Sequence, residues 1–220
     1  MSTVLLILEI IGVFSFSITG ALMAIDKEND FVGVIFLAII TSFGGGMLRD
    51  IFIGNIPPIF FTLYYEIIVC VVTAIAVFIL ASIFKKQYVK NEKFVATVNN
   101  YFDALGLGVF VISGVKLCMN AGVTNPLLII IMGMLSGTGG SMMRDIIMRE
   151  VPQLLRKRIY LVAAIAGATL YYLLVKLGVT DGIAMPVGAI LIVAIRILAT
   201  VFKWNLPKAI VFSKMENGGK

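Results

Sequence analysis

Long apolar runs separated by short polar breaks dominate the chain. The runs cover about 4–24, 31–54, 59–84, 102–119, 126–149, 158–176 and 183–202. Each reaches or approaches the roughly 20 residues that cross a bilayer as a helix. The breaks carry turn chemistry. Asp26 to Asp30 is a polar turn. Pro57-Pro58 stops the second run, because proline cannot continue a helix ladder. Lys85 to Asn100 is the longest polar loop, Asn125-Pro126 opens the fifth run, and Thr180-Asp181-Gly182 precedes the last. The tail after Trp204 is expected to be mobile. The pattern predicts an all-α membrane protein with seven transmembrane helices.

Composition fits this reading. Of 220 residues, 60% are hydrophobic and 14% charged, too little polar surface for a soluble domain. One transmembrane domain over 1–220 follows, since no hydrophilic segment is long enough to fold by itself. The first run lacks a basic leader and a clear cleavage site, and reads as a retained span. The net charge of +6 belongs to membrane orientation and not to nucleic-acid binding. There is no histidine, which removes His-dependent zinc motifs and Ser-His or Cys-His catalysis. Cys70 and Cys118 lie in apolar runs without metal-ligand spacing, as small packing residues do. No enzyme activity, resident cofactor or metal is expected.

Basic residues are unevenly distributed. With the N-terminus outside, fourteen fall on the inner side and three, Arg49, Lys116 and Lys176, on the outer. The positive-inside bias predicts N-out, C-in, multi-pass in the cell (inner or plasma) membrane.

The chain also repeats. Residues 42–57 read Ser-Phe-Gly-Gly-Gly-Met-Leu-Arg-Asp-Ile-Phe-Ile-Gly-Asn-Ile-Pro, and residues 137–152 read Gly-Thr-Gly-Gly-Ser-Met-Met-Arg-Asp-Ile-Ile-Met-Arg-Glu-Val-Pro. At an offset of 95, Gly44, Gly45, Arg49, Asp50 and Pro57 meet Gly139, Gly140, Arg144, Asp145 and Pro152, and Tyr65 meets Tyr160. At an offset of 94, Glu9, Gly12, Phe16 and Gly20 meet Asp103, Gly106, Phe110 and Gly114. Repeat one spans about 4–84 and repeat two about 102–176, with a seventh helix at about 183–202 outside both. Three spans per copy force the copies to enter the membrane from opposite sides. Inverted repeats are typical of proteins that move solutes across membranes.

The glycines and charges are the candidate chemistry. Gly44, Gly45 and Gly46 lie inside span two, and Gly137, Gly139 and Gly140 inside span five. A kink there would free carbonyl oxygens able to replace part of a cation's water shell. Close packing is the competing reading, because small residues let helices approach. Arg49, Asp50, Arg144 and Asp145 are candidate pathway or gate charges, since ionised groups inside spans face the bundle interior or water. Neighbours on a helix diverge, so pairing within Arg49-Asp50 is not required. The two motifs lie toward opposite faces. Glu9 and Asp103 read as interfacial carboxylates or as groups at a pathway mouth, with Glu66 a further acid. Arg196 either snorkels or meets a carboxylate, and Lys116 reads as interfacial. Arg156, Lys157 and Arg158 form an inner anchor that touches anionic lipid.

The doubled Gly-Gly-x-x-x-Arg-Asp pattern, each copy followed by proline seven residues after the aspartate, resembles the prokaryotic trimeric intracellular cation (TRIC) channel family. The same repeat also carries the label of a glycine-transporter-type domain of uncharacterised bacterial membrane proteins. The resemblance covers about residues 5–202. It implies two inverted three-helix repeats plus a seventh helix. It further implies a homotrimer with one monovalent cation (potassium) pathway per subunit, and helices two and five kinked at Gly44–Gly46 and Gly139–Gly140. Ser141 departs from the pattern where the first copy has Gly46, so the second kink is expected to be stiffer. The Lys-Glu-Val motif of the animal members is absent. A secondary transporter of a small zwitterion such as glycine fits the same repeat architecture.

Overall fold

The computed structural model describes residues 3–156 and 159–204. The long helices are α1 (Thr3–Asp26), α2 (Phe31–Phe52), α3 (Tyr64–Ile83), α5 (Glu92–Asn120), α6 (Pro126–Ile147), α8 (Ile159–Lys176) and α9 (Asp181–Val201). These seven are long and apolar enough to cross a membrane. Two short helices, α4 (Lys85–Lys90) and α7 (Gln153–Arg156), sit between them, and no strand occurs among the described residues. The tail beyond Trp204 and the basic residues Lys157 and Arg158 lie outside the described residues.

Local chemistry fixes the helix starts and stops, and it does so twice. Asp30 caps α2 by accepting from the Gly33 N–H at 2.7 Å, and its counterpart Asn125 caps α6 by accepting from Leu127 and Leu128 at 3.0 and 3.3 Å. Pro126 follows at the first position of α6, where a missing N–H costs nothing. Both helices end in the same left-handed turn. Asn55 N–H donates to the Asp50 carbonyl and Glu150 N–H to the Asp145 carbonyl, each at 2.8 Å. The left-handed residue is Gly54 in the first copy and Arg149 in the second, with φ of 76° and 56°.

Two boundaries differ from the sequence expectation. Span three begins at Tyr64 rather than near 59, because Ile59–Thr62 form a 3₁₀ turn whose Ile59 N–H donates to Asp50 Oδ2 at 2.9 Å. The stretch from Lys85 to Asn100 is not a loop. It is helical as α4 and the first turns of α5, bending at Asn91. Its lysines, glutamate and alanine are good helix formers, so its polarity marks solvent exposure and not loss of helix. Tyr88 ties α4 back to α1 by donating to Asp26 Oδ1 at 2.7 Å. Burial and this bond to a carboxylate push the phenol well above its usual range.

The inverted repeat is visible in the packing. Gly106 leaves room for the Phe16 ring and Gly12 for the Phe110 ring, the two rings lying 5.2 Å apart between α1 and α5. A Cβ on Gly20 would meet Ala38 and Thr41, and one on Gly114 would meet their counterparts Gly133 and Ser136.

The closest approach is between α2 and α6. A Cβ on Gly45 would run into the Ser136 carbonyl, and one on Gly140 into the Thr41 carbonyl. Gly139 would place a Cβ 2.9 Å from the Cα of Gly45. Thr41 and Ser136 are repeat equivalents, so the crossing sits on the pseudo-twofold axis.

Both helices are helical at every residue through their glycines, including Ser141. The glycines serve contact, as the packing reading proposed, and Gly137 does the same against Val111 and the Leu107 carbonyl of α5. Gly46 differs, since its nearest prospective neighbour is an Arg49 guanidinium nitrogen at 3.7 Å.

These contacts set a test. Gly45→Ala and Gly140→Ala should each lower stability by about 1–3 kcal/mol or more through overpacking. Gly46→Ala should be neutral or stabilising by up to about 1 kcal/mol through helix propensity. Thermal unfolding of the purified variants in one detergent checks this; equal losses at all three positions would remove the packing account.

Candidate functional site

The Arg-Asp pairs end α2 and α6, which run antiparallel, so the pairs sit at opposite ends of the bundle. Each arginine curls back onto its own neighbour. Arg49 Nε and a terminal guanidinium nitrogen reach Asp50 Oδ1 at 2.9 and 2.8 Å. Arg144 reaches Asp145 Oδ1 at 3.0 and 2.8 Å. Divergence of neighbours does not require pairing within the dipeptide, yet it occurs in both copies, because the guanidinium is long enough to fold around that divergence. The second carboxylate oxygen then holds the following segment. Asp50 accepts from Ile59, and Asp145 from the Gln153 N–H at 2.8 Å. The first copy has Pro58 at the position equivalent to Gln153, without an N–H to offer, so its bond moves one residue on.

Beyond this common core the clusters diverge. Arg49 donates to Ser136 Oγ across the glycine crossing at 3.1 Å. Arg144 is fully buried and lies 3.8 Å from Asp103 Oδ1. Asp103 Oδ2 receives Arg196 of α9 at 3.0 Å, and the Arg196 guanidinium lies 4.3 Å over the Tyr160 ring. Tyr160 and Ser141 hydroxyls are 3.1 Å apart. Arg144, Asp145, Asp103, Arg196 and Tyr160 therefore form one network joining α5, α6, α8 and α9.

The first cluster instead borders a cavity of about 30 Å³. Glu9, Arg49, Asp50, Glu66 and Ser113 line it, and Gly46 opens onto it. Glu9 and Asp103 are both buried within the helix bundle. At the other end a larger space of about 310 Å³ borders Asp145, Lys27, Glu150 and Gln153. The glycine crossing lies between the two spaces. Next to the first cluster, Ser17 donates to the Cys70 carbonyl at 2.7 Å and Ser42 to the Val13 carbonyl at 3.3 Å. Lys116 pairs with Asp181 at 2.7 Å. Arg156 is the last residue of α7, and Lys157 and Arg158 of the basic triplet lie outside the described residues.

Sequence reasoning left Ser136 and Tyr160 out of the site. Ser136 stands 95 residues after Thr41 and Tyr160 95 after Tyr65, so the repeat offset was the signal that marked them. Their partners, one across a helix crossing and one on α9, carry no such signal.

Several known proteins share this arrangement. A family model described as glycine transporter matches twice, over residues 6–82 and 100–176. The inner membrane protein YadS of Escherichia coli K12, of the UPF0126 group, is 34% identical over 215 residues, 96% of this chain and 97% of its own. The UPF0126 membrane protein YvgT of Bacillus subtilis is 31% identical over 205 residues, 91% of this chain and 94% of its own. Among solved structures, the TRIC trimeric intracellular cation channel orthologue of Rhodobacter sphaeroides superposes with a TM-score of 0.82 at 30% identity, covering 92% of this chain and all of that one. A prokaryotic TRIC channel solved in 0.5 M KCl gives 0.83 at 30% identity, covering 94% of this chain and all of that one.

The networked cluster predicts unequal costs. Arg196→Met leaves buried Asp103 with a long contact to Arg144, and should destabilise by about 3–5 kcal/mol. Lys27→Met breaks the exposed pair with Glu150 and should cost less than about 1 kcal/mol. Denaturant unfolding in detergent separates the two; an Arg196 variant as stable as the Lys27 variant would refute the network's role.

Proposed function

The chain belongs to the prokaryotic TRIC channel family, and from that premise we propose that it is a passive monovalent cation channel, permeable to potassium, with one pathway inside each subunit of a homotrimer. The observation that carries this reading is the likeness, over nearly the whole chain, to solved cation channels. The site adds physical support. The pathway runs from the cavity beside Arg49 and Asp50, past the α2–α6 glycine crossing, to the space beside Asp145. The N-terminus faces outward and the C-terminus the cytoplasm, as the basic residues favour. Arg49–Asp50 then guards the outer half and Arg144–Asp145 the inner. Serine hydroxyls and the space at Gly46 supply polar lining without a broken helix. The basic triplet Arg156-Lys157-Arg158 is, by its sequence, suited to bind anionic headgroups on the inner side.

Each arginine raises the local potential and so sets a barrier to a cation, and its aspartate cancels most of that barrier. Removing the outer arginine should therefore raise cation entry, whereas removing Arg144 loosens a network that spans four helices.

Purified protein in planar bilayers should give stepwise potassium currents that disappear when potassium is replaced by N-methyl-D-glucamine. Arg49→Gln should raise unitary current by about two-fold or more, in line with roughly 0.4 kcal/mol or more of barrier, while Arg144→Gln should mainly reduce the yield of folded protein. Saturable exchange of glycine in liposomes without any unitary current would replace the channel with a transporter.

A further inference from the structure

The two clusters share a motif but not a charge balance. Facing the 30 Å³ cavity are Glu9 from α1, Arg49 and Asp50 from α2, Glu66 from α3, and Ser113 from α5. Three carboxylates thus meet one guanidinium, and that guanidinium is already committed to Asp50. In the second half, Asp103 and Asp145 meet Arg144 and Arg196, two acids against two bases. Leu161 stands where the first half has Glu66. The first half has no equivalent of Arg196, because α9 packs chiefly on α5 and α8.

The surplus carboxyl groups are aimed into the cavity. Oε2 of Glu9, Oε1 of Glu66 and Oγ of Ser113 have no hydrogen-bond partner among the described residues. All three side chains are more than nine-tenths buried, at 6%, 4% and 1% exposure. Unanswered carboxylates in a membrane interior are costly, by several kcal/mol each in order of magnitude. The cavity has room for about one or two water-sized occupants. A hydrated magnesium ion, which keeps several waters, does not fit that space.

We propose that Glu9, Glu66 and Ser113 bind one largely dehydrated alkali cation in this cavity, so that the first repeat carries a cation site and the second, neutralised by Arg196, does not. The choice of potassium as the ion rests on the channel reading above. The carboxylates supply charge, the hydroxyl supplies a third oxygen, and the Arg49–Asp50 pair keeps the guanidinium from taking the cation's place. A net charge below zero at this point would also draw the permeant ion into the pathway while the second half stays electrically balanced.

The test uses the full-length protein in detergent at mildly alkaline pH and constant ionic strength, with potassium exchanged for N-methyl-D-glucamine. The wild type should melt higher in potassium, by on the order of 5 °C at saturation. Glu66→Gln and Glu9→Gln should each lose most of that response. Each should also melt above the wild type in N-methyl-D-glucamine, because one unanswered charge is gone; a merely structural glutamate would shift Tm down. Equal wild-type melting in both salts, or a full potassium response in the glutamine variants, overturns the site. Stability that ignores potassium but falls as pH is raised, in wild type and not in the variants, assigns the cavity to a proton and likewise overturns it. Bilayer currents from the same preparation separate the two readings. A Glu66-dependent potassium response without currents keeps the site and removes the channel, and currents without that response do the reverse.

Discussion

Backbone contact between α2 and α6 is the constraint on which the rest of the molecule depends. Neither helix can move apart without opening a void, and neither can carry a side chain at Gly45 or Gly140, since each faces a carbonyl of the other. The contact is set on the pseudo-twofold axis, so it positions both arginine–aspartate pairs at once. It brings Arg49 within 3.1 Å of Ser136 on the opposite repeat. Both helices remain helical at every residue across it, so backbone groups near the crossing stay within the helix ladder. Polar lining must then come from side chains: serines, carboxylates and the arginines.

Burial of charge is the second constraint, and it acts through Asp50 and Asp145. Each aspartate has two jobs. One oxygen holds the preceding arginine, and the other accepts a backbone N–H from the segment that follows the helix. A buried carboxylate with both oxygens occupied is far less costly than one left bare. The same bonds anchor the turn after each helix, so the charge motif is also a fold motif. Proline at 57 and 152 belongs to those turns and not to the clusters themselves.

Much of this was legible in the sequence. Apolar run length marked the seven spans, the offset of 95 marked the repeat and both Arg-Asp pairs, and three spans per copy marked its inversion. Less was legible where two signals conflict. A run of three glycines signals a weak helix by propensity, yet neighbours that fill every glycine face hold Gly44 and Gly45 in the helix. Lys85 to Asn100 looked like a loop because polarity was taken for irregularity, though its residues form helix well. Pairing of Arg49 with Asp50 was left open for a geometric reason: adjacent side chains diverge at the Cβ, and only the length of arginine lets them meet again. Nothing in local spacing connects Asp103 to Arg196, which stand 93 residues apart and meet through tertiary packing.

That last contact bears on why a seventh helix exists at all. Two three-helix repeats could in principle form a symmetrical bundle, with the same charges in each half. Here α9 breaks the symmetry by delivering Arg196 to one half, where Tyr160, Asn100 and Asp103 receive it. The sequence breaks it again from the other half, where Glu66 stands in place of the second half's Leu161. Both departures push the same way: the first half gains an acid, and the second gains a base. A difference built from two independent positions on different helices is hard to ascribe to drift at one site. The helix outside the repeat therefore acts as a countercharge for one end of the bundle, and the two halves of a symmetrical scaffold become electrically unlike.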